Sequence, residues 1–121
     1  MSIDAFSYEG KKTIVTGAGR GIGRAIALSF ARLGGDVALA ARSKNELEAV
    51  AAEIEGLGQK AWVLPTDMSD LDQGLGMIAK AHKAMGGIDV LVNNAGGLAD
   101  VKGSAGLLEE ATPEAFEAIY R

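Results

Sequence analysis

Residues 16–23, Thr-Gly-Ala-Gly-Arg-Gly-Ile-Gly, are the stretch whose types and spacing could do chemistry. An apolar run, Thr13-Ile14-Val15, leads into them. Apolar side chains at Ile22, Ala25, Ile26, Phe30 and Leu33 follow at the one-face spacing of a helix. Strand, glycine turn and helix start, in that order, make an anion site. The first N–H groups of a helix have no partner within it, and the positive end of the dipole favours a phosphate. Glycine suits the turn because a Cβ would hold the backbone away from the phosphate or forbid the conformation. A second loop of interest, Asn93-Asn94-Ala95-Gly96, follows another apolar run, Asp89-Val90-Leu91-Val92.

Other chemistries find little support. The chain has no cysteine, which removes disulfides, thiolate metal sites and cysteine nucleophiles together. Its single histidine cannot build a histidine metal cluster, and His82, on an apolar stripe, reads as a packing residue. Twelve basic against 16 acidic residues give a net charge of −4, which argues against a nucleic-acid surface. No apolar run approaches a membrane span, and Asp4 and Glu9 stand where a leader would be basic, so a soluble cytoplasmic protein is expected. The Walker spacing is missing. Tyr8 and Lys12 have a Tyr-x-x-x-Lys spacing, but they precede the first strand and the match reads as chance. Ser104 falls in a Gly/Ala loop, and Glu109 and Glu110 read as a solvated edge.

The elements that must position the turn follow from periodicity. Nearly half of the 121 residues are apolar, enough for a core, and the chain reads as one domain, 1–121. Met1–Glu9 reads as a loose arm. Gly34-Gly35 stops the first helix, and Asp36–Ala41 forms a second strand. Ser43 and Glu46 make a capping box for a second helix with Leu47, Val50, Ala51 and Ile54 inward, ended by Gly56-Leu57-Gly58. Ala61–Leu64 is a third strand, stopped by Pro65. Ser69 with Asp72 opens a third helix whose stripe runs Leu71, Leu75, Ile78, His82 and Met85, closed by Gly86-Gly87. Asp70 and Asp72 suit its dipole. Asp89–Val92 is a fourth strand, and a further helix is expected from Thr112-Pro113, turning Phe116, Ile119 and Tyr120 inward. This alternation implies an α/β fold, a doubly wound parallel sheet in the order 3-2-1-4. A ligand belongs at the carboxyl ends of strands one and four, where the winding reverses.

The turn is not the G-x-G-x-x-G spacing but Thr-Gly-x-x-x-Gly-x-Gly, at Thr16, Gly17, Gly21 and Gly23. With Asp67 after the third strand and Asn93-Asn94-Ala95-Gly96 after the fourth, the chain from about Gly10 onward resembles the classical short-chain dehydrogenase/reductase family. The likeness is strongest to its 3-oxoacyl-carrier-protein-reductase-like members. The resemblance implies a Rossmann-type fold without its C-terminal strands, and NAD(P)-dependent hydride transfer on a carbonyl or alcohol. It implies that Gly17, Gly19, Gly21 and Ile22 lie against the cofactor's phosphates and ribose, and that Gly23 packs helix on sheet. Asp67 would accept from the adenine amino group, Met68 would cover the ring, and Asn94, Ala95 and Gly96 would line the ribose and nicotinamide side.

Charge speaks to the choice of cofactor. An NAD-type site ends its second strand in Asp or Glu, whereas here Ala41 and Arg42 stand there, with Arg20 in the turn. Two guanidiniums favour a 2′-phosphate, hence NADP(H) over NAD, although Gly19 replaces the Ser of many NADP-preferring relatives. The family's catalytic Ser, Tyr, Lys and Asn all belong to the second half of its fold. No catalytic residue is therefore expected before Arg121, which leaves a fragment, or a non-catalytic dinucleotide-binding module, as the alternative. An apolar fourth strand without an outer neighbour predicts a homo-oligomer or pairing with a complementary chain.

Overall fold

Strands separated by helices can lie parallel only through crossovers, and the chain takes that course throughout. The computed structural model describes residues 7–94. Within them run β1 (Lys12–Thr16), α1 (Gly21–Arg32), β2 (Asp36–Ala41), α2 (Lys44–Gly56), β3 (Ala61–Pro65), α3 (Leu71–Met85) and β4 (Val90–Val92). The four strands form one parallel sheet in the order β3-β2-β1-β4, as the alternation predicts. Thr16 is opposite Ala40 and Val15 opposite Val92, so the carboxyl ends of β1, β2 and β4 finish side by side. The helix expected from Thr112, Ser104, Glu109 and Glu110 lie outside the described residues.

Both faces of the sheet are covered, which is why its strands are apolar without a break. Side chains alternate across the pleat. Val15, Val37 and Leu39 face α1 and α2, packing on Ala27, Leu28, Ala31, Leu47, Val50 and Ile54. Ile14, Ala38 and Ala40 face α3, against Met77, Ile78, Ala81 and Met85. Thr13, also fully buried, has a hydroxyl with no partner among the described residues.

Two helix faces depart from expectation. On α1 the buried positions are Gly23, Ala27, Leu28 and Ala31, while Ile22 is 73% exposed and Ala25 is exposed too. Ile26 and Phe30 of the predicted stripe do pack on the core, but the fully buried face is made mainly of small residues, which size-weighted periodicity passes over. On α3 the buried face is Gly74, Met77, Ile78, Ala81 and Met85. Leu71 and Leu75 are exposed, and so is His82, which is therefore no packing residue. Leu75 and His82 lie on the flank of α3 beside Val90 and Leu91 of β4.

The ends of the helices also correct two readings. Asp70, not Ser69, caps α3, its carboxylate accepting from the N–H groups of Asp72 and Gln73 at 3.0 and 3.2 Å. Ser69 instead donates to Asp67. Gly34 ends α1 in the left-handed region (φ 98°), its N–H donating to the Ala31 carbonyl while that of Gly35 donates to Phe30, the paired closure that glycine permits. The end of the supposed loose arm is held: Tyr8 donates its N–H to the Leu33 carbonyl at 2.8 Å and sets its ring edge-on to Phe30, centroids 4.7 Å apart. This places Tyr8 at the amino end of β1, opposite the glycine turn.

Candidate functional site

The carboxyl ends of the strands open onto a cleft of about 620 Å³. Of the residues singled out from the sequence, Gly17, Gly19, Arg20, Gly21, Ile22, Arg42, Asp67, Met68 and Asn94 all line it. Gly23 lies beneath it as a packing residue, and Ala95 and Gly96 lie outside the described residues. Residues following all four strands, with the start of α1, thus converge, although the chain separates them by up to 77 positions (Gly17 and Asn94).

Local backbone demands explain the glycines. Gly17 and Gly21 adopt φ of 63° and 59°, a region that a side chain makes costly, so the chain reverses from β1 into α1 within four residues, 17–20. At Gly23 the constraint is space. A Cβ there would stand 1.9 Å from the Gly17 carbonyl oxygen and 2.6 Å from Asn94 Nδ2, so only a bare backbone lets α1 settle against the turn.

The start of α1 is chemically open. Ser43 accepts a hydrogen bond at the start of α2 and Asp70 does so at the start of α3, which satisfies some of the N–H groups those helices leave over. The residue before α1 is Arg20, in extended conformation (φ −163°, ψ 171°), and its side chain accepts nothing. No acidic residue stands in the first turn of α1 either. Among the three described helices, α1 alone points an uncapped N-terminus into the cleft. Partial positive charge is therefore concentrated at the floor of the site.

A hydroxyl fastens the two loops that flank this floor. Thr16 Oγ1, 1% exposed with its residue, accepts the Asn94 N–H at 2.8 Å and lies 3.1 Å from Asn93 Oδ1 and 3.4 Å from the Val92 carbonyl as a donor. The Asn94 side-chain amide reaches back to the Gly17 carbonyl at 3.5 Å. Thr16 was legible as part of the motif, but its role as a clamp was not, because its partners sit on β4. Ser43, Glu46, Thr66 and Ser69 also line the cleft. The sequence marked Ser43 and Glu46 only as cap residues. Their place directly after β2, on the strand beside the turn, is the signal that could have included them.

Charge is graded across the site. Arg20 and Arg42 line the cleft, and neither makes an ion pair among the described residues. Asp67 is held below the ordinary aspartate range, first by the Ser69 hydroxyl at 2.6 Å and the Ser69 N–H at 3.0 Å, with the Arg42 charge helping and partial desolvation opposing. Both Ser69 bonds go to Oδ1, leaving Oδ2 able to accept from a ligand. An anionic group would find main-chain donors and guanidiniums at one end, and a neutral donor would find a fixed carboxylate nearby. The described residues hold no group of three or more His, Asp or Glu side chains arranged to bind a metal ion. Among them no helix is long and apolar enough to cross a membrane.

Comparison with known proteins agrees with this geometry. Residues 11–121 match the family model described as short chain dehydrogenase. An uncharacterised oxidoreductase of Mycobacterium tuberculosis is 40% identical over 97 residues, 80% of this chain and 37% of that protein. An L-rhamnose 1-dehydrogenase (NAD(P)(+)) of a Sphingomonas species is 45% identical over 89 residues, 73% of this chain and 35% of that protein. The crystal structure of a short-chain type dehydrogenase/reductase from Mycobacterium marinum superposes with a TM-score of 0.75 at 39% identity, covering 98% of this chain and 47% of that one. The chain thus spans less than half the length of each of these relatives.

Proposed function

Because the chain belongs to the short-chain dehydrogenase family of NAD(P)-dependent oxidoreductases, we propose that the cleft holds NADP(H), its diphosphate resting on the open start of α1. One observation carries this reading: the uncapped, glycine-lined helix N-terminus, at the point where the sheet reverses its winding. The residues fit the cofactor. Gly17, Gly19, Gly21 and Ile22 would meet the phosphates and ribose, Asp67 the adenine amino group and Met68 the ring. Asn94, Ala95 and Gly96 would face the nicotinamide side. Arg20 and Arg42, which make no ion pair among the described residues, would hold a 2′-phosphate in preference to a bare ribose hydroxyl.

Bound there, the nicotinamide would supply or accept a hydride, with a carbonyl or alcohol as the substrate class. What the chain's own residues do is bind and orient: Thr16 fixes the spacing of the two loops, and the α1 backbone fixes the diphosphate. The finer likeness to 3-oxoacyl-carrier-protein reductases rests on the turn and loop motifs alone. The relatives' names include an L-rhamnose 1-dehydrogenase and a gluconate 5-dehydrogenase, so the substrate is left at its class. We read residues 1–121 as the cofactor-binding unit of a larger catalytic fold. Association through the outer edge of β4, which pairs with no strand among the described residues, belongs to the same proposal.

A binding-only module is the second reading, since the cleft alone suffices for it and Tyr8 supplies no catalytic group there. The family's chemistry needs a tyrosine at the cleft, whereas Tyr8, the tyrosine among the described residues, packs on Phe30 at the opposite end of β1. Calorimetric titration with NADP⁺ and NAD⁺ tests the proposal. Saturable heat is expected, with NADP⁺ about tenfold tighter, the worth of one charge-assisted hydrogen bond, and with that margin lost in Arg42→Ala. Silence from a folded sample would refute it. NADPH oxidation with a simple ketone separates the two readings, since turnover supports the enzyme and binding without turnover the module.

A further inference from the structure

Two carboxylates line the cleft, Asp67, read above as meeting the adenine, and Glu46, whose charge would oppose a phosphate held by the arginines. Glu46 lines the cleft together with Arg20, Arg42 and Ser43. As the third residue of a helix capped by Ser43, a glutamate ordinarily reaches back to the cap residue's own N–H and completes a reciprocal pair. Only half of that pair is made. The Glu46 N–H donates to Ser43 Oγ at 3.3 Å, and the Ser43 N–H has no bond to the Glu46 carboxylate.

The carboxylate lies over the glycine turn instead. A Cβ built on Gly19 would stand 3.0 Å from Glu46 Cβ and 3.2 Å from its Oε1, so the space a side chain at position 19 would use is already taken by Glu46. No ion pair among the described residues ties that carboxylate to Arg20 or Arg42. The end of the cleft bounded by β2 and the turn therefore presents two guanidiniums and one carboxylate. A carboxylate accepts readily from a hydroxyl and repels a phosphate, so it favours one ligand and penalises its phosphorylated analogue at the same time.

We infer that Glu46 is a specificity-determining residue, its carboxylate over Gly19 limiting how strongly the cleft prefers a 2′-phosphorylated dinucleotide to an unphosphorylated one. This rests on the dinucleotide reading above and adds to it a residue that moderates the two arginines. Gly19 and Glu46 act as a pair in this: the missing side chain at one position is the room for the other.

The test compares dissociation constants for NADP⁺ and NAD⁺ in the unmodified chain, Glu46→Gln, Glu46→Ala and Glu55→Gln by calorimetry. Glu46→Gln keeps the shape over Gly19 and removes the charge. Glu46→Ala removes both, and guards against a change caused by the amide alone. Glu55→Gln removes the same charge from an exposed position near the far end of α2. The ratio of the NAD⁺ to the NADP⁺ constant should rise about fivefold or more in both Glu46 variants, from loss of one charge repulsion against the phosphate. Raising the salt should shrink that rise, and Glu55→Gln should leave the ratio where it was. A ratio unmoved by the Glu46 variants, moved the other way, or moved equally by Glu55→Gln would overturn the inference while leaving dinucleotide binding intact. Failure of the unmodified folded chain to bind either dinucleotide would instead remove the reading beneath it, and the inference with it.

Discussion

Adding a single methyl group at Gly23 tests the central geometric claim, that α1 reaches the turn only on bare backbone. In Gly23→Ala the new Cβ would lie 1.9 Å from the Gly17 carbonyl oxygen and 2.7 Å from its carbon, with Asn94 Nδ2 at 2.6 Å. Two of these neighbours are backbone and cannot rotate aside. The gap to the oxygen must open from 1.9 Å to at least 3.0 Å, which moves either the turn off β1 or the helix off the sheet. Overpacking of this kind costs about 3 kcal/mol, a substantial share of the roughly 5–15 kcal/mol that holds a domain folded. The displacement also shifts the main-chain donors by about 1 Å, enough to weaken phosphate binding on the order of a hundredfold. Gly21→Ala is the control. Its φ is 59° but nothing lies within 4 Å of the added atom, so only the conformational penalty applies, about 1 kcal/mol. Urea unfolding of both variants gives the stability order, and calorimetric titration with NADP⁺ gives the affinity order. Gly23→Ala within 1 kcal/mol of the unmodified chain, or losing less than Gly21→Ala, would refute the close-approach account.

Three further predictions follow from single side chains. Thr16→Val leaves the half-buried Asn94 N–H without its 2.8 Å acceptor and should cost about 1 kcal/mol in urea unfolding, with weaker dinucleotide binding as the two loops separate. Thr13→Val removes a fully buried hydroxyl that has no partner among the described residues, and should raise stability by about 1 kcal/mol on the same measurement. Asp67, held low chiefly by Ser69, should titrate below the ordinary aspartate value by NMR and move back toward it in Ser69→Ala. Because its folded value is depressed, its contribution to stability is present above the ordinary aspartate range and is lost as pH falls through the folded value. A Ser69→Ala titration that does not move would contradict the assigned cause.

The alternation of elements was legible because it rests on local signals. Gly34, Gly58 and Gly86 stand at helix ends in the left-handed region, and the apolar runs of β1 and β2 have the length and composition of buried strands. Strand order followed from handedness and short connections rather than from any one residue. The glycine turn and Asp67 were legible for the same reason, each sitting beside a recognisable strand end. The inward faces of α1 and α3 were legible only in part: Ile26, Phe30, Ile78 and Met85 pack on the core as expected, whereas Ile22, Leu71, Leu75 and His82 are exposed. Periodicity weighs side chains by size and polarity, whereas α1 also buries Gly23, Ala27 and Ala31, and at Gly23 it is the Gly17 carbonyl that demands a bare backbone. The cap of α3 was misplaced by one residue because Ser69 and Asp70 are equally good caps in isolation, and only the pull of Asp67 on Ser69 decides between them.

By itself the sequence determined which segments become strands and helices, their order across the sheet, and the glycine-rich main chain at the start of α1. Those properties depend on residues close together in the chain. Only the tertiary structure decided that Thr16 joins the ends of β1 and β4, that Gly23 makes room for Gly17 and Asn94, and that Glu46 fills the space above Gly19. The contacts to Asn94 and Glu46 span crossovers, that of Gly23 with Gly17 lies within one turn, and all depend on distances of a few tenths of an ångström that appear only once the helices have docked on the sheet.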